Sequence, residues 1–275
     1  MNLIRYAYFL SLPVVLGAVF SNRMAARLSG AGQPIHWATT WVLALVVFVI
    51  YTVDRLLDIR KPDMLPTARH TFHRRHAPLL WKVVAGAAGL ALLLTFWLPG
   101  SVIKFGLVLG VLCAAYVALV FRLPARHPAL LAKEPLVALF FTAGVWGSVW
   151  AQRPSVSAVD WTEALMFLGI AFQNLLLFSV MELQEQLTVP QFSLATYWGP
   201  LRCDQLMRWL TFLVVASAFF VCFTTDDRFA QRSAFIQAIM SLVLYVIQRY
   251  PAYFSKNERY RWLGDGVFWL PLLVL

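Results

Sequence analysis

Apolar residues run through this chain in long blocks, and polar residues gather in the short breaks between them. Blocks of about 18 or more mostly apolar positions, the length a helix needs to cross hydrocarbon, fall at 3–20, 35–57, 79–98, 101–121, 134–151, 161–182, 206–224, 233–250 and 260–275. The breaks carry turn-forming residues: Ser29-Gly30-Ala31-Gly32-Gln33-Pro34, Leu98-Pro99-Gly100, Arg122-Leu123-Pro124 and Gly199-Pro200. Arg5 precedes the first apolar run as in a signal peptide, but no small-residue cleavage site follows, so this block is read as the first span. The pattern therefore predicts an all-α polytopic bundle of about nine transmembrane helices, forming one membrane domain over residues 1–275.

Composition supports this reading and removes others. Of 275 residues, 60% are hydrophobic and 13% charged, and the mean hydropathy of +0.69 lies well beyond that of a soluble globular domain. A net charge of +10 is compatible with nucleic-acid binding, but the cations sit in short loops rather than on a soluble face, which membrane topology explains. Taking alternate loops, 17 Lys and Arg fall on one side and 6 on the other. The amino terminus is thus expected in the cytoplasm, the carboxyl terminus outside, and the protein in the inner (plasma) membrane. Cys113, Cys203 and Cys222 are scattered and show no metal or disulfide spacing.

The stretch Tyr51-Thr52-Val53-Asp54-Arg55-Leu56-Leu57-Asp58 ends the second predicted span. Asp54 and Asp58 are four residues apart, so a continuing helix stacks their carboxylates on one face. Two such charges repel unless a cation compensates them: a divalent metal, or the neighbouring Arg55 and Arg60. A second pair, Glu182 and Glu185, closes the sixth predicted span on the same side. At 100° per residue, Asn174, Met181 and Glu185 share a narrow arc with Glu182 on its shoulder, which predicts a polar stripe facing a bundle cavity. Between the second and third spans, Arg69, His70, His73, Arg74, Arg75 and His76 form a basic loop. Arg presents a planar fork that matches phosphate oxygens. The loop suits either a metal–diphosphate site beside the acids or anionic lipid headgroups, and the adjacent arginines oppose zinc on the His-x-x-His-x-x-His spacing.

The span order and these two acidic motifs together resemble the UbiA superfamily of intramembrane prenyltransferases. Asp54-x-x-x-Asp58 and Glu182/Glu185 stand where that family carries its Asp-rich motifs, and Tyr116 with Arg122 resembles its Tyr-then-basic element. The resemblance implies transfer of a polyprenyl group from a prenyl diphosphate to an aromatic, tetrapyrrole or other lipid-soluble acceptor. It implies Mg2+ held by Asp54, Asp58, Glu182 and Glu185, and substrate contacts from Arg69, Arg74, Arg75, Tyr116, Arg122 and Asn174. The sequence departs from the family pattern at Ile50, where the first motif usually opens with Asn. It departs again at Glu182, whose partner Glu185 lies at i+3 while Gln186 takes the i+4 place. These departures open the alternative of an inactive protein of the same fold, acting as a lipid- or pigment-binding subunit of a membrane complex. Asp265, between Gly264 and Gly266, is read as a helix cap or a partner for Arg261.

Overall fold

The computed structural model describes residues 3–28, 34–59, 68–124, 127–185 and 192–275, and these residues form an all-helical bundle. In order, the chain makes α1 Leu3–Phe9, α2 Leu12–Leu28, α3 Trp37–Asp58, α4 Ala68–Thr95, α5 Gly100–Arg122, α6 Lys133–Thr142, a π-helical turn Ala143–Gly147, and α7 Ser148–Trp150. It continues as α8 Ala158–Glu185, α9 Leu194–Trp198, α10 Pro200–Thr224, α11 Arg228–Arg249, α12 Pro251–Phe254, α13 Arg259–Gly266 and a terminal 3-10 segment Val267–Val274. Among the described residues, seven helices are long and apolar enough to cross a membrane: α3, α4, α5, α8, α10, α11 and the run from Pro128 through α6 to Trp150. The protein is thus a polytopic membrane protein by the character of its helices.

Three expectations change. The first block does not form one helix from 3 to 20: Ser11 takes a left-handed backbone (φ 56°) and separates α1 from α2. Pro13, which lacks the N–H that a continuous helix would donate to Phe9, stands just beyond that break. The last block, 260–275, divides at Val267 into α13 and a 3-10 segment that contains Pro271. The segment predicted as a basic loop is instead the first turns of α4. Arg and His do not break a helix, and from position 70 onward His70, His73, Leu80 and Val84 form a buried stripe.

Several helix ends are fixed by side chains that replace missing backbone partners. At α8 the exchange is reciprocal: Ser157 donates its backbone N–H to Asp160 at 2.8 Å, and Asp160 donates its own to Ser157 Oγ at 3.1 Å. Asp227 caps α11 by accepting from Phe229 N at 2.8 Å.

α8 is the hub. In its apolar window 61% of residues are buried, against 6% in α5. α10, α11 and α6 pack around α8, α3 packs on α4 and α2, and the terminal segment packs on α2 and α11. Gln173 on α8 donates to Thr211 Oγ1 at 3.0 Å and to the Ser241 carbonyl at 3.1 Å, and accepts from Ser241 Oγ at 2.7 Å. It thereby ties α8 to α10 and α11 with side chains that hydrocarbon would leave unsatisfied. At the end of the bundle away from Asp54, Asn22 of α2 donates to the Val145 carbonyl at 2.8 Å and accepts from Thr40 Oγ1 at 3.0 Å. Arg27 there donates to the Leu275 carbonyl at 2.8 Å.

Gln173→Leu is expected to lower the thermal unfolding temperature in detergent, with a loss of about 1–2 kcal/mol, because Ser241 and Thr211 lose their partner. A melting curve superimposable on that of the wild type would show that the three-helix network adds no stability.

Candidate functional site

α3 runs unbroken to Asp58, so Tyr51, Asp54 and Asp58 fall at i, i+3 and i+7 on one face. Tyr51 lines a narrow cleft of about 20 Å³ whose other polar groups are Asn174 of α8 and Asp265 of α13. Val14, Phe141 and Phe268 supply apolar walls. Asn174 is 5% exposed, and its Oδ1 has no hydrogen-bond partner among the described residues. Such an orphaned acceptor needs a ligand or water to offset its desolvation.

Asp54 is exposed, with its carboxylate 4.0 Å from the Arg55 guanidinium. It lies one turn beyond Tyr51 on the same face of α3. The Tyr116 hydroxyl is buried without a hydrogen-bond partner among the described residues, and its ring meets Phe140 edge-on at 5.6 Å. Asp58 is half-buried on the last turn of α3. Arg74, Arg75 and Arg122 are exposed at this same end of the bundle. By helical rotation Arg75 lies opposite the His70–His73 stripe packed toward α3, and Arg74 lies at its flank.

Glu182 is arranged differently. Arg261 of α13 donates Nη2 to its carboxylate, and the same guanidinium donates Nε to Tyr260 Oη at 3.1 Å. Arg261 also stands over the Phe178 ring at 5.8 Å. The Glu182 charge is therefore answered within the protein, by the residue that the sequence reading paired with Asp265. The stripe expected to face a cavity is largely covered by the chain around α12 and α13: Met181 is buried, with its sulfur 4.0 Å from Ser255 Oγ. Gly264 fits because it has no side chain, since a Cβ there would come within 2.6 Å of Asn174 Oδ1 and 2.7 Å of Phe178. The cavity-facing part of the stripe is Asn174 itself. The side chains of Arg69 and Glu185 lie outside the described residues, as do Arg60 and Gln186. Among the described residues, no three His, Cys, Asp or Glu side chains gather as a metal cluster.

Three acids acquire positions that sequence reasoning missed. Asp265 joins the cleft, and Gly264 beside it was the available signal, since it marks a close approach. Glu163 is fully buried; Ser233 and Gln237 Nε2, the latter at 3.1 Å, donate to its Oε2 while its Oε1 has no partner among the described residues. Glu134 accepts from Ser179 Oγ at 3.0 Å and from Leu194 N at 3.3 Å, anchoring α9 to α6 and α8.

Gly264→Ala is expected to destabilise the protein by about 1–3 kcal/mol, the usual cost of overpacking. The loss should be smaller in an Asn174→Ala background, where part of the obstructing side chain is gone. Equal losses in the two backgrounds, read from denaturation midpoints, would separate Gly264 from Asn174 energetically. Compared with known proteins, the chain matches no family model, no curated protein and no solved structure.

Proposed function

We propose that this chain is an intramembrane prenyltransferase of the UbiA type, moving a polyprenyl group from a prenyl diphosphate to a lipid-soluble aromatic or tetrapyrrole acceptor. The observation that carries this reading is the apolar-walled cleft in which Asn174 presents an unpartnered oxygen beside Tyr51 and Asp265. Tyr51 lies one turn from Asp54. The cleft is narrow as it stands; widened by movement of α13, it would offer a dry wall to a polyprenyl chain and a polar end to its reacting carbon.

Magnesium suits the Asp54–Asp58 pair, because this ion commonly binds through one or two carboxylates and takes its remaining positions from phosphate oxygens and water. When bound, it would neutralise the negative charge of the departing diphosphate. Glu182, engaged by Arg261, is better suited to hold α13 against α8 than to bind a metal. Arg74 and Arg122 are the described cations placed to meet phosphate, with Arg69 and Arg75 as further candidates from the sequence. In the reaction, the bond from the allylic carbon to the diphosphate oxygen breaks, and the acceptor carbon bonds to the allylic carbon and loses a proton. Tyr51 and Tyr116 offer aromatic faces to the cationic carbon.

We place the Asp54 end in the cytoplasm and the protein in the inner (plasma) membrane, on the strength of the 17-to-6 bias in Lys and Arg. Nine crossings follow if α1 with α2, and α13 with the terminal 3-10 segment, each span as a broken pair. A second reading, favoured by the Glu182–Arg261 ion pair and by Ile50, is an inactive UbiA-fold subunit that binds lipid or pigment in a membrane complex.

Purified protein supplied with geranylgeranyl diphosphate and an aromatic acceptor is expected to release diphosphate only with magnesium present. Asp54→Ala and Asp58→Ala should each lower that rate about a hundredfold or more while leaving the melting temperature unchanged. No magnesium-dependent release from the wild type across prenyl lengths and acceptors would favour the inactive subunit. For orientation, single cysteines at positions 74 and 153 should label from the cytoplasmic and outer faces respectively, and the reverse pattern would invert the topology.

A further inference from the structure

A second concavity lies on the membrane-facing side of α11 and shares no lining residue with the Asn174 cleft. Ile239, Leu242, Val243 and Val246 line it at helical spacing, and Phe254 and Leu263 close it from the chain that returns through α12 and α13. It offers about 230 Å³ in an open groove, and its lining is wholly apolar among the described residues. Leu242, Val246 and Leu263 each keep close to half of their surface open, so the groove faces the bilayer directly. Along α11 it runs roughly 10 Å, the rise of seven residues from Ile239 to Val246.

The polar groups at its mouth identify the occupant. Arg249 follows Leu242 and Val246 at i+7 and i+3, which puts it one turn above the groove on the same face. Arg259 precedes Leu263 by four residues and likewise tops its wall. Lys256 is exposed in the turn between them. The Arg259 guanidinium is held over the Tyr253 ring at 4.6 Å, and Tyr250 and Tyr253 are both exposed, as aromatic side chains at a headgroup interface are. Asn257 and Glu258, both left-handed at φ 57° and 54°, make the reversal from which Arg259 emerges. A consecutive pair of such residues without glycine is strained and persists where the surroundings require it. The nearby carboxylates are already engaged: Glu258 lies 4.0 Å from Arg261, and Asp204 pairs with Arg208. The three cations are thus left to face the headgroup layer above an apolar slot.

We infer that this groove is a binding site for one anionic phospholipid, its acyl chain along α11 and its phosphate at Arg249, Lys256 and Arg259. A lipid seated there touches α11 and α13 together, so it braces α13, the helix that carries Asp265 and Gly264 against Asn174. The inference stands independently of the prenyltransferase reading.

The test is native mass spectrometry of the delipidated full chain in detergent, titrated with phosphatidylglycerol or with phosphatidylcholine of identical acyl chains. The wild type is expected to retain phosphatidylglycerol about tenfold more tightly. The double variant Arg249→Gln/Arg259→Gln should lose that preference, since each interfacial cation is worth about a fivefold factor. Val246→Trp, which fills the slot, should weaken both lipids. Equal retention of the two lipids by the wild type would overturn the inference, and so would an undiminished preference in the double variant. Displacement of phosphatidylglycerol by equimolar geranylgeranyl diphosphate would also overturn it, by making the groove a seat for a prenyl tail. Arg249 is exposed and Arg259 partly so, so the charge variants decide the matter even if Val246→Trp does not fold.

Discussion

Hydrocarbon gives no hydrogen bonds, and in this bundle that constraint falls most heavily on α8. The helix carries Glu163, Gln173, Asn174 and Glu182 along a length that other helices surround. Each must find its partner inside the protein or keep a place for one. Gln173 finds Thr211 and Ser241, Glu163 finds Ser233 and Gln237, and Glu182 finds Arg261. These bonds determine which helices stand next to α8 and at what height. Among the described residues, Glu163 Oε1 and Asn174 Oδ1 are left without a partner, and of the two it is Asn174, with Gly264 close beside it, that lines the cleft.

Much of the fold could be read from the chain because the signal was local. The runs at 35–57 and 161–182 became α3 and α8 within a few residues of the expected ends, since an unbroken apolar stretch long enough to span has no competing structure in a bilayer. The ends of the chain are different in kind. Blocks 3–20 and 260–275 both contain long apolar runs, but Pro13 and Pro271 remove backbone donors, and an average over a window is blind to a single missing N–H. The basic segment at 69–76 is the converse case. Its polarity resembles that of a loop, yet nothing in it opposes helical backbone, and two of its histidines turn inward.

The candidate site was legible only in part, for a related reason. Asp54 and Asp58 are four residues apart, and their shared face follows from one helix. The meeting of Glu182 with Arg261, or of Asn174 with Gly264, joins positions roughly eighty or ninety residues apart, and helical periodicity carries no information across that separation. Gly264 beside Asp265 was visible in the sequence, but what pressed against it was not. Glu163 could be taken for an interfacial acid from its place near the start of α8, and its burial depends on residues contributed by α11.

α5 shares few of these ties. Its main anchor is the π-helical turn, where the Phe105 ring occupies the space beside Gly147 that a Cβ would need, and most of its surface meets lipid. Its 23 residues extend about 34 Å, slightly more than the roughly 30 Å of hydrocarbon in an average bilayer. A helix so lightly held takes up that mismatch by tilting. Tyr116 and Arg122 ride on its far end, so the span of the bilayer itself becomes a variable in the distance between α5 and Asp54. The same polypeptide would then present a wider or narrower entrance according to the thickness of the membrane around it.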